Sequence, residues 1–69
     1  MSLQAPPLAP KIERLPAVLA RTGLGRSSIY AAIKRLDFPA PVKLSARAIG
    51  FLTEEVDAWI ATRAAQRPR

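Results

Sequence analysis

Apolar residues recur along this chain at two periods, and the changes of period divide it. Leu15, Val18 and Leu19 keep the i, i+3, i+4 spacing of one helix face. Ile29, Ala32, Ile33 and Leu36 repeat it at i, i+3, i+4, i+7, and Val56, Trp59 and Ile60 repeat it again. Between the second and third stripes, Val42-Lys43-Leu44 alternates as a half-buried strand does, and Ile49-Gly50-Phe51 reads as its return with Ile49 and Phe51 inward. The pattern predicts three helices with a hairpin before the last, a mainly α fold with a small β-hairpin.

The punctuation sharpens this. Pro16 suits the first turn of a helix, where a missing N–H costs nothing. Gly23 is expected in the left-handed position that closes that helix, and Gly25 at the N-cap of the next, with Leu24 turned inward between them. Pro39 and Pro41 end the second helix, Phe38 is expected to lie over the core, and Ser45–Ala48 forms the hairpin turn. Thr53 is expected to cap the third helix, with Glu54 and Glu55 in its first turn facing the positive end of the dipole. Two short helices across a glycine turn make a helix-turn-helix, whose second helix enters the DNA major groove. The hairpin adds a wing.

The second helix carries a face opposite its apolar stripe. Ser27, Tyr30, Ala31 and Lys34 share it, with Arg26 beside them and no acid among them. Ser27 and Ser28 have hydroxyls free to donate to phosphates or bases. On the wing, Lys43 and Arg47 are candidate phosphate contacts, although Arg47 also reads as an idle surface arginine. Trp59 reads as the largest core residue or as a dimer contact.

Charge and composition narrow the classes. The 69 residues carry a formal charge of +6 and no cysteine or histidine. That leaves no disulfide, no thiolate or imidazole metal ligand and no imidazole base, so neither an enzyme, a metal site nor a cofactor is expected. Arg21, Arg26, Lys34, Arg35, Lys43 and Arg47 stand against Asp37 alone in the central region, while Glu54, Glu55 and Asp57 cluster later. A basic region apart from an acidic one suits a polyanionic partner. No apolar run approaches the ~20 residues of a membrane span, and Met1-Ser2-Leu3-Gln4 lacks the basic and apolar regions of a secretory signal, so a cytoplasmic location and no membrane partner are expected. The organisation reads as a flexible proline-rich arm over 1–13, a winged helix-turn-helix domain over 14–64 and a basic tail over 65–69.

From Arg14 to Ala64 the order of elements resembles the AlpA family, small regulators of prophages and integrative elements related to the winged-helix domain of MerR-type proteins. The carrying residues are Arg14-Leu15-Pro16 with Val18-Leu19, Thr22-Gly23-Leu24, Arg26-Ser27-Ser28-Ile29-Tyr30, Ile33-Lys34, Phe38-Pro39, Pro41-Val42-Lys43-Leu44, Arg47-Ala48-Ile49-Gly50 and Glu55-Val56-Asp57-Ala58-Trp59-Ile60. Their shared order and spacing carry the resemblance. It implies a MerR-like winged helix-turn-helix that binds double-stranded DNA, as a transcriptional regulator or as an excisionase directing a recombinase. Family members usually have Ser or Thr where Gly25 stands, often Arg or Lys where Ala31 stands, and often Trp-Arg in place of Phe51-Leu52. The DNA-binding residues then expected are Arg26, Ser27, Ser28, Tyr30, Ala31, Lys34, Lys43 and Arg47. One recognition helix per chain points to self-association or cooperative binding on DNA. The alternative is an interaction module docking its second helix on an acidic partner, which calls for large apolar anchors on that helix.

Overall fold

The computed structural model describes residues 11–68. In chain order the elements are β1 (Ile12–Glu13), α1 (Leu15–Thr22), α2 (Arg26–Lys34), β2 (Val42–Lys43), β3 (Ile49–Leu52) and α3 (Thr53–Ala65). The strands form one antiparallel sheet in the order β1-β3-β2, with Ile12 opposite Leu52, Glu13 opposite Phe51, Val42 opposite Gly50 and Lys43 opposite Ile49. Three helices with a small sheet in this order make a winged helix-turn-helix, mainly α with a hairpin as its wing.

Each major element sends one fully buried side chain to the centre: Val18 from α1, Ile29 from α2, Phe51 from β3 and Val56 from α3. Leu15, Ala32 and Phe38 complete the buried set. Phe38 closes the core as expected, edge-on to Phe51 at 5.8 Å and to Trp59 at 4.9 Å between ring centroids.

The turn between α1 and α2 fixes how α2 is presented. Gly23 is left-handed at φ 74°, and its N–H donates to the Leu19 carbonyl at 2.9 Å. The Thr22 hydroxyl donates to the Val18 carbonyl and accepts the Leu24 N–H at 3.2 Å, so one side chain ties the end of α1 to the turn. Gly25 caps α2 in an extended conformation with no side-chain acceptor, as its lack of a side chain requires.

Four expectations are corrected. The second helix stops at Lys34, and Leu36, expected on its apolar stripe, is 92% exposed. The Leu36 N–H donates to the Ile33 carbonyl and the Asp37 N–H to the Ala32 carbonyl, the paired bonds of a Schellman close, which puts Leu36 in the left-handed region at φ 63° and turns it outward. Ile12 and Glu13, assigned to the arm, pair with β3, and the Thr53 N–H donates to the Lys11 carbonyl at 2.8 Å. The rest of the expected arm, residues 1–10, lies outside the described residues. That same bond continues the ladder into α3, so the extended flanking residue is Leu52, and Thr53 is the first helical residue with no capping bond. Finally, Trp59 sits at the margin of the core, half-buried.

On the sheet face away from the core, Ile12 and Leu44 close over Gly50. A Cβ at Gly50 would press into the Ile12 side chain and approach Leu44 to 3.1 Å and the Glu13 carbonyl to 3.3 Å. Glycine here lets β1 lie against β3.

Candidate nucleic-acid interface

The nine residues of α2 are held through one side only. Ile29 and Ala32 are buried and Ile33 packs beside them, because the helical period brings all three to the core. The same period puts Ser27, Ala31 and Lys34 on the far side and Tyr30 next to them, and all four are exposed. Arg26 is exposed at the first turn. The first-turn N–H groups receive no side-chain cap, because Gly25 has none to give. Ser28 is exposed too, but the structure does not group it with Ser27. It lies on the flank facing α3, with Ala32, Arg35, Trp59 and Arg63 around the same groove.

The wing places Lys43 and Arg47 in the open. Lys43 closes β2, and Arg47 sits in the turn, where the Leu44 N–H donates to the Ala48 carbonyl at 2.8 Å. The Arg47 N–H donates to the Ser45 hydroxyl oxygen at 3.3 Å, which fixes the backbone at the tip and leaves the guanidinium outside.

The ion pairs sort the basic residues into two groups. Arg21 donates in a fork to Glu13 (2.6 and 3.2 Å) and to Asp57 at 2.7 Å, joining α1 to β1 and to α3. Donating to the Glu13 carboxylate first, then to Asp57, raises its already high pKa further, so its charge is permanent and committed to the fold. Asp37 takes Arg35 at 3.5 Å and Arg63 at 3.4 Å. Among the described residues, Arg26, Lys34, Lys43 and Arg47 have no carboxylate partner, and α2 itself carries no acid. All four are exposed, two on the helix and two on the wing.

Sequence reasoning missed the cluster beneath α2. The Trp59 indole N–H donates to the Asp37 carbonyl at 2.7 Å, while the Arg63 guanidinium lies over the Trp59 ring at 4.9 Å. The spacing of Trp59 and Arg63, i and i+4 on one helix, is a readable signal for that stacking. Nothing in the sequence marks Asp37 as the meeting point of two arginines, since its loop conformation depends on the left-handed Leu36.

Among the described residues no helix is long and apolar enough to cross a membrane. Among the described residues no three Asp or Glu side chains gather in a group that could hold a metal.

A family profile described as "Prophage CP4-57 regulatory protein (AlpA)" matches residues 11–64. Its start at Lys11 coincides with the strand that completes the sheet. The chain is 36% identical over 61 residues to the "DNA-binding transcriptional activator AlpA" of Escherichia coli K12, covering 80% of this chain and 87% of that protein. It is 43% identical over 56 residues to a protein of Enterobacteria phage P4 described as "Uncharacterized protein ORF88", covering 81% of this chain and 64% of the phage protein.

Proposed function

We propose, from the premise that this chain belongs to the AlpA family of prophage regulatory proteins, that it binds double-stranded DNA in a sequence-specific way. The observation that carries this reading is the acid-free outer face of α2, with Arg26 and Lys34 on that helix and Lys43 and Arg47 on the wing all without a carboxylate partner among the described residues, while Arg21 is matched to Glu13 and Asp57 and Arg35 and Arg63 share Asp37. The relative named as a DNA-binding transcriptional activator supports it. In this reading α2 lies in the major groove, where Arg26, Ser27, Tyr30 and Lys34 reach base edges and Ala31 meets at most a thymine methyl. Lys43 and Arg47 hold phosphates and set the register. The protein acts in the cytoplasm, without a cofactor and without catalysis, as a regulator of transcription or as an excisionase that presents bent DNA to a recombinase. More than one copy acts per site, because each chain offers a single recognition helix. A recombination assay beside a promoter-reporter assay separates the two roles.

The test is a binding titration of Arg47→Ala, Arg26→Ala and Lys34→Ala at several salt concentrations, on a footprinted site and on random duplex. Arg47→Ala should weaken both alike and lower the log–log salt slope by ~0.9. Arg26→Ala or Lys34→Ala should cost about 1–3 kcal/mol on the preferred site, for a lost bidentate base contact, and much less on random DNA. Folded variants with unchanged affinity on both duplexes would favour the module that docks on an acidic protein.

A further inference from the structure

We propose that Ser28, Arg35 and Arg63 form a second phosphate-binding edge, which grips the duplex backbone on the α3 side of α2. This rests on the reading of α2 as the helix in the major groove. The groove is about 12 Å wide, and a helix with its side chains fills about 10–12 Å. The flanks of a docked helix therefore face phosphates. Ser28 on α2 and Arg35 at its C-cap stand seven residues apart, about two turns along one flank, and that is the flank α3 lines.

The site is held in place by its neighbours. Arg63 is stacked over Trp59, whose N–H is fixed to the Asp37 carbonyl, so the guanidinium is aimed before any ligand arrives. Asp37 sits between the two arginines at 3.4 and 3.5 Å, offsetting their mutual repulsion. Both contacts are at the long limit of hydrogen bonding, and each guanidinium has five N–H donors, so most donors stay free. The side chains of Arg35 and Arg63 are 63% and 47% exposed. One carboxylate against two guanidiniums leaves a net positive charge. The Ser28 hydroxyl supplies a neutral donor on the same rim. A phosphodiester oxygen, which Arg recognises by a planar fork of donors, completes this arrangement.

The experiment is a titration of the full chain against a labelled random duplex over a range of salt, with Arg35→Gln, Arg63→Gln, Ser28→Ala and the tail variant Arg67→Gln, each checked by thermal melting. Arg35→Gln and Arg63→Gln should each lower the salt slope by ~0.9. Ser28→Ala should weaken binding and leave the slope alone, and Arg67→Gln should leave the slope alone. If the unsubstituted chain binds duplex but the Arg35→Gln slope equals its own, or Arg67→Gln lowers the slope as much, the second edge is wrong and the α2 reading stands. Among the described residues the Arg35 side chain has Asp37 as its one hydrogen-bonded partner, so this arm holds even where Arg63→Gln loosens Trp59. A chain with no salt-dependent affinity for duplex overturns both.

Discussion

Leu36 stands where most helices of this design place glycine or asparagine. Its φ of 63° costs a residue with a Cβ about 1–2 kcal/mol, and at 92% exposure its side chain recovers almost none of that through burial. Asparagine tolerates the left-handed region and loses no packing here. Leu36→Asn is therefore expected to stabilise the domain by about 0.5–1 kcal/mol, read as a melting temperature several degrees higher. A lower melting temperature would mean that Leu36 makes contacts in solution that its exposure denies. The apolar period of α2 hides this residue, because the i+7 position continues the stripe in sequence after the helix has closed in space. Residues of the proposed interface were easier to read. Ser27, Tyr30, Ala31 and Lys34 inherit their outward face from Ile29 and Ala32, and a helical period needs no tertiary information.

Among the elements, the helices were legible and the sheet only in part. Long apolar stripes with glycine and proline stops identify α1, α2 and α3 to within a few residues. The hairpin was legible from its alternation, but β1 was not: Lys11-Ile12-Glu13-Arg14 is too short to show a period, and it follows a proline-rich stretch that argues against a strand. Its place is marked instead by Gly50, whose meaning appears only in three dimensions. A methyl at that position meets the Ile12 side chain on one neighbour and the Glu13 carbonyl beside it. Gly50→Ala is expected to destabilise by about 1–3 kcal/mol, the usual cost of overpacking. Shortening Ile12 should recover part of this, so Gly50→Ala with Ile12→Ala should be less destabilised than the sum of the two single variants in denaturant melts. Additive losses would show that β1 does not press on Gly50. The Asp37 cluster was illegible for the same reason as Leu36, since the geometry of the α2 terminus decides which side chains Asp37 reaches.

At the scale of the whole molecule, the acids and bases are divided by task. Glu13, Asp57 and Asp37 are spent holding α1, β1, α3 and the end of α2 together through Arg21, Arg35 and Arg63. Of the remaining described basic residues, Arg26 and Lys34 lie on α2 and Lys43 and Arg47 on the wing, with Lys11, Arg14 and Arg67 elsewhere on the chain, while Glu54 and Glu55 stay at the start of α3. A duplex docking on the first surface and avoiding the second is the central claim. The measurement that tests it most directly is a titration of the isotope-labelled chain with a DNA duplex, followed by amide chemical shifts. The largest changes should fall on Arg26 to Lys34 and on the wing turn around Arg47, with the amides of Glu54, Glu55 and the exposed side of α1 at Ala17 and Ala20 nearly still. Changes concentrated on α1 or at the start of α3, with α2 unmoved, would contradict it.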